Sequence, residues 1–371
     1  MRRVDFVPRP HWRKQCEELG FTFHSIDGTY WDESAAYELS LAQVEILEDT
    51  AEELHRLYLE ATQWVIEQRH FAPFALPPSA QQLIIDSWQR HEPALYGRFD
   101  FSWNGQGAPK LLEYNADTPT GLLEASVVQW YWLRDMRPEA DQFNSLHEKL
   151  IERWRQIGHG RVHFAAIEGH EEDTGNALYM LDVAHQAGLS TQYVPIEAIG
   201  YDQQRRGFVD QHEQPIEHCF KLYPWEWLLQ DEFGAHVGAS GIRFQEPAWK
   251  ILLSSKAMLP ILWQRNPGHP NLLPASFAAD LPEPYVRKPL YAREGQNIQI
   301  VGAGIMLESD GPHAADACIY QAYAPLPRYG DSYTVLGCWM VGEQPAGLGI
   351  REDATPITRD SSRFLPHYFI E

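Results

Sequence analysis

The sequence predicts an α/β (α+β) fold with mixed and antiparallel sheets and flanking helices. Three observations carry that expectation. Ala, Leu, Glu and Trp recur at helical spacing over 34–70, with no Gly or Pro between them. Around 95–115 the apolar pattern switches to period two. Between 162 and 223, strand-like and helix-like runs alternate.

The elements follow in chain order. Residues 34–70 read as one helix. The run Pro73-Phe74-Ala75-Leu76-Pro77-Pro78 ends it, and a second helix is expected from Ser79. The 95–115 stretch reads as sheet. A helical pattern rich in Trp and Tyr returns from Gly121 to Met136, and its aromatics are expected in the core. Residues 162–168 and 216–223 read as short strands, with a helix at about 173–187 between them. From about 284 to Tyr368 the chain reads as short strands and turns. There is no internal repeat and no clear linker. The Pro-rich segment 260–284 is the candidate lobe boundary.

Composition excludes several classes of function. The 371 residues carry 30 Lys+Arg against 51 Asp+Glu, a net charge of −21. A hydrophobic fraction of 44% excludes a disordered chain. The acidity argues against nucleic acid, whose phosphates need a basic face, and against an anionic membrane surface. It favours a cationic partner such as a polyamine. The cysteines, at 16, 219, 318 and 338, form no CxxC pair and are expected as reduced thiols. No apolar leader run follows Met1-Arg2-Arg3, and no stretch approaches 18 uninterrupted apolar residues. A soluble, cytoplasmic protein is expected.

The most informative stretch is 96–117. Asn104-Gly105 and Gly107 supply hairpin-turn chemistry between two period-two runs. Alternation puts Arg98 and Asp100 on one face, with Phe99 and Phe101 on the other. It likewise pairs Glu113 with Asn115, with Leu112 and Tyr114 opposite. Superposed, the polar faces gather two carboxylates, an amide and a guanidinium. That set suits a hard cation such as Mg²⁺ with phosphate beside it. It equally suits a hairpin with one wet face. Asp117, Thr118 and Thr120 precede a helix start and read as caps.

Lys288 is the last of seven lysines. It sits in a strand-like run, Tyr285–Leu290, before the polar loop 291–297 and a returning strand at 298–301. A strand lysine under a Gly-containing loop suits a phosphate grip, or else an ordinary edge strand. Lys256, Arg265, Arg287, Lys288 and Arg293 outnumber Asp280, Glu283 and Glu294 over 256–294, a local balance of +2. Other signals fail. There is no GxxxxGK[ST], HExxH or GxSxG. Gly302-Ala303-Gly304 lacks the third glycine of a dinucleotide fingerprint. His147-Glu148 and His170-Glu171 suit helix surfaces.

Gly97-Arg98-Phe99-Asp100-Phe101 with Glu113-Tyr114-Asn115-Ala116-Asp117 resembles the synthetase domain of the glutathionylspermidine synthase family. Ser255-Lys256-Ala257-Met258, Lys288-Pro289-Leu290 with the Gly295 loop, Tyr320-Gln321 and Gly347-Leu348-Gly349-Ile350-Arg351-Glu352 follow in that family's order. The resemblance implies an ATP-grasp fold over 1–371. It implies Mg²⁺ at Asp100, Glu113 and Asn115, and a catalytic Arg98 at a reacting acyl phosphate. It also implies ATP held by Arg98, Phe99, Asp100, Lys256, Lys288, Gly295, Gln321 and Arg351. Thr118, Thr120 and Glu124 are the candidate substrate contacts. The implied reaction joins a small carboxylate, for which glutathione is one candidate, to an amine such as a polyamine. Two alternatives stay open: glutathionylspermidine synthase itself, and an ATP-binding regulator without catalysis. No amidase module is expected. Thr118-Pro119-Thr120 stands where known members have serines, and Pro119 removes an N–H donor.

Overall fold

The structure is a computed structural model, and it describes residues 1–25, 28–302 and 304–370. Four principal sheets organise it. The central sheet is antiparallel, in the order Arg363–Leu365, Gln344–Asp353, Ser332–Val341, Tyr96–Ser102, Lys110–Asn115, with Arg328–Tyr329 on its margin. A second antiparallel sheet orders Ala275–Ser276, Cys318–Ala322, Tyr285–Pro289, Gln299–Gly302 and Ile305–Glu308. The third is wholly parallel: Arg243–Gln245, His218–Leu222, Arg161–Ala166, Ser190–Pro195. Helix Glu171–Gln186 makes the crossover between its last two strands, as parallel pairing requires. The mixed α/β class holds.

Residues 34–70 are not one helix. Ala35–Ser40 is a strand, and the helix is Leu41–Glu67. Ser40 and Gln43 form a reciprocal capping box at that boundary. The strand pairs antiparallel with Arg2–Asp5 and parallel with His367–Ile370. This tie between chain ends is nonlocal, so local periodicity misses it. Pro78, one residue before the expected start, opens helix Pro78–Gln89 at its first position.

The core lies between the long helix and the back of the central sheet. Leu47, Ala51, Leu54, Tyr58, Ala61 and Val65 form the helix's buried stripe. Tyr58 packs on Phe99 and Tyr114, whose rings stack at 3.8 Å. Of the aromatics at 125–135, Trp132 is buried and Trp130 is exposed. Segment 260–284 begins inside helix Met258–Arg265 and leads into the second sheet. All four cysteines are free. His147 packs against Tyr179, and His170 caps helix Glu171–Gln186. Ala303 of the glycine pair lies outside the described residues.

Candidate active site

The hairpin sets the register of the site. Arg98 pairs with Asn115, and Asp100 with Glu113, so all four share the face turned away from the long helix. On the next strand Gly337 lies opposite Asp100 and Trp339 opposite Arg98. A Cβ on Gly337 would meet Arg98 Cδ at 2.8 Å, so glycine leaves room for the guanidinium. A bulge between Asp100 and Phe101 shifts the ladder. Leu111 takes the core place opposite Phe101, while Leu112 borders the cleft. The expected side for Leu112 is therefore corrected, because one extra residue inverts the alternation.

Arg98 is clamped. Its Nε and Nη2 donate to the Asp100 carboxylate at 2.7 and 3.0 Å, and Nη1 donates to the Thr120 carbonyl at 2.7 Å. Its guanidinium lies 5.5 Å from the Trp339 ring. Burial opposes its charge, but Asp100 and Glu113 outweigh burial and raise its pKa. Lys256 Nζ sits 3.0 Å from Glu113 Oε2 and donates to the Ala292 carbonyl at 2.6 Å. Lys288 Nζ donates to Gln321 Oε1 at 2.7 Å and to the Leu112 carbonyl at 3.0 Å. Burial lowers Lys288 to about 8, against the pull of Glu113. Burial raises Glu113, yet Lys256 and Lys288 hold it down at about 2.

Two adjoining spaces share Asp100, Glu113 and Lys256. The first, about 790 Å³, has an apolar wall of Val286, Ile298, Ile300, Leu326 and Ile357. Its polar end is Lys288, Gln321 and the Gly295 loop. Gly295 has φ +68°, and a Cβ there would meet the Thr358 carbonyl at 2.5 Å. Only glycine fits that conformation and contact. The second space, about 1310 Å³, adds Arg98, Asn115, Thr118, Thr120, Asp173, Trp227 and Arg351. Arg351 reaches the face from strand Gln344–Asp353, and its Nη2 donates to the Arg359, Asp360 and Ser362 carbonyls. Burial raises Asp173 to about 6, with Glu172 adding to it and His170 opposing.

Two sequence candidates fall elsewhere. Phe99 is fully buried on the core face of its strand, so its ring does not reach the cleft. Glu124 is also fully buried, accepting a hydrogen bond from Tyr30 rather than facing either space. Asp117 is no cap for the following helix. It accepts from Lys221 Nζ at 2.7 Å and from the Trp225 N–H at 2.8 Å. The basic island is divided as well. Lys256 and Lys288 line the cleft and Arg293 pairs with Glu226 at its edge, but Arg265 lies over Trp64 and Arg287 reaches the Ala314 carbonyl.

Trp227, Asp173 and residues 356–358 were missed. One signal was present for Asp173, which lies in the first turn of a helix just beyond the C-terminal end of a parallel strand, a recurrent ligand position. Nothing local marks the others. The donor set fits a hard cation: two facing carboxylates, with an amide alongside whose Nδ2 now donates to Asp100 Oδ2 at 3.0 Å. Among the described residues no group of three His, Cys, Asp or Glu could hold a metal, so Asn115 is needed to complete the set.

The family model "glutathionylspermidine synthase preATP-grasp" matches residues 3–370. A Haemophilus influenzae protein with the provisional name acid–amine ligase is 41% identical, covering 100% of both chains. Crithidia fasciculata trypanothione synthetase is 30% identical over 84% of this chain and 53% of its own length. The Escherichia coli bifunctional glutathionylspermidine synthetase/amidase is 27% identical over 88% of this chain and 57% of its own. The chain thus spans just over half the length of those last two relatives. A glutathione synthetase-like effector from Globodera pallida, solved without ligand, superposes with a TM-score of 0.61 at 11% identity, covering 97% of this chain and 96% of that one. The fold is of the ATP-grasp type.

Proposed function

Because the chain belongs to the glutathionylspermidine synthase family, we propose that it is an ATP- and Mg²⁺-dependent acid–amine ligase working through an acyl phosphate. One observation carries this. Arg98, Asp100, Glu113, Lys256, Lys288, Gln321 and the Gly295 loop, scattered between positions 98 and 321, converge on two spaces with a common edge.

The first space takes ATP, its base against the apolar wall and its phosphates toward Lys256, Lys288 and the loop N–H groups. The acid lies in the second space, near Thr118 and Thr120. Its attack on the γ-phosphate brings two anions together, and Arg98 faces the charge that develops. Asp100, Glu113 and Asn115 would hold Mg²⁺, which supplies further neutralisation of phosphate charge. An amine then displaces phosphate and leaves the amide. The Gly295 loop shields the acyl phosphate from water. Asp173 and its acidic neighbours suit a cationic amine. The relatives' names make glutathione and spermidine the first pair to test, and Thr118-Pro119-Thr120 leaves other acids in the panel. No helix among the described residues is long and apolar enough to cross a membrane. Four unpaired cysteines suit a reducing, cytoplasmic setting.

The test is ADP release with ATP, Mg²⁺ and a panel of carboxylates and amines. Asp100→Ala and Glu113→Ala should each lower turnover at least about a hundredfold. Full activity in either variant would refute the site assignment.

A further inference from the structure

We propose that Tyr30 and Glu124 act together as the proton acceptor for the amine in the ligation step, an inference that rests on the ligase reading. Tyr30 borders a pocket of about 400 Å³ beside Arg98, Thr120, Gly121 and Arg351. Its hydroxyl donates to Glu124 Oε1 at 2.7 Å. Glu124 is fully buried, and its Oε2 has no hydrogen-bond partner among the described residues. A carboxylate so placed is costly, and such groups call for a reason. Glu124 also begins a π-helical segment, Glu124–Val128, a distortion that recurs at functional sites.

The surroundings set its proton affinity. Glu172 faces it from helix Glu171–Gln186, Arg351 from strand Gln344–Asp353, and Tyr30 from the coil before Ala35–Ser40. Cys16 lies within its field too, next to the Arg9–Glu33 pair. Burial first, then Glu172, pushes Glu124 up to about 7, while the Tyr30 bond and Arg351 pull it down. The carboxyl therefore exchanges its proton near neutrality.

The chemistry needs such a group. An alkyl amine arrives as an ammonium and cannot attack until it loses a proton. That proton passes to the Tyr30 oxygen as Tyr30's own proton passes to ionised Glu124. The freed electron pair forms the C–N bond, the C–O bond to phosphate breaks, and the second nitrogen proton leaves with the phosphate. Tyr30 touches the substrate. Glu124 is a positioning residue that acts through it.

Difference infrared titration of the whole chain, with Glu124→Gln identifying the carboxyl band, tests the pair without any substrate. A midpoint near 7 is expected, moving higher in Tyr30→Phe as the hydrogen bond is lost. A midpoint in the ordinary range, about 4.3, overturns the proposal. Turnover supplies a second arm, using glutathione and ATP with either spermidine or hydroxylamine, a nucleophile already unprotonated at neutral pH. Both variants should lose about a hundredfold with spermidine, lose the acid limb of the kcat–pH profile, and lose far less with hydroxylamine. Equal losses with the two nucleophiles also overturn it. If the unaltered chain makes no ADP with either nucleophile, that failure belongs to the ligase reading, and the infrared midpoint alone decides the pair.

Discussion

Lys288 shows how one side chain would join burial to the proposed function. Its ammonium is buried, and burial holds it at about 8. Phosphate oxygens nearby would favour the charged form and raise that value. ADP binding at pH 8.5 should therefore take up protons. Calorimetry in buffers of different ionisation enthalpy measures this directly, and the uptake should vanish in Lys288→Met. The same variant should bind ADP about 10- to 100-fold more weakly, the worth of a charge-assisted hydrogen bond. Uptake that persists in the variant would assign the proton to another group. The lysine stood out in the sequence because no other follows it. Its partner Gln321 stood out only through family resemblance, since the separation of 33 positions closes up only in the folded second sheet.

At the level of elements, two tethers hold the cleft. Asp117 bridges the hairpin's exit to the parallel sheet through Lys221, whose side chain has 0% exposure. Asp117→Ala leaves that charge unpaired and should cost about 3–5 kcal/mol in urea unfolding. A loss below about 1 kcal/mol would mean that the tether is minor. The Gly295 loop leans on the Thr358 carbonyl. Gly295→Ala should displace the loop, weakening ADP binding several-fold with little change in Tm. Legibility differs by element for physical reasons. Period-two alternation gave the polar face of the hairpin correctly, because Arg98, Asp100, Glu113 and Asn115 needed only local geometry. The bulge that turned Leu112 to the cleft has no local signal. Strand Ala35–Ser40 was hidden because its partners are residues 2–5 and 367–370. Ser40 and Gln43 did carry a readable helix start, which the unbroken periodicity overrode.

Across the whole molecule, three buried histidines tie stability to pH. Burial lowers His55, His218 and His367 to about 3, from about 6.5 in an unfolded chain. Between those values the unfolded state binds more protons, so stability should fall as pH drops through that window. Each histidine contributes up to about 1.4 kcal/mol per pH unit there. Urea midpoints from pH 7 to 4.5 should decline, and less steeply in His218→Gln. The net charge of −21 also gains meaning at this scale. The cations proposed to meet the phosphates are few, and Arg98, Lys256, Lys288 and Arg351 line one cleft in a chain that is acidic overall. One measurement tests that concentration of charge most directly. Phosphorus NMR can follow ATP with Mg²⁺ and a panel of acids, amines and their pairs. ADP and phosphate should accumulate rapidly only when an acid and an amine are both present, and Asp100→Ala should stop them. Release of AMP and pyrophosphate, or no turnover with any pair in a folded sample, would contradict the account.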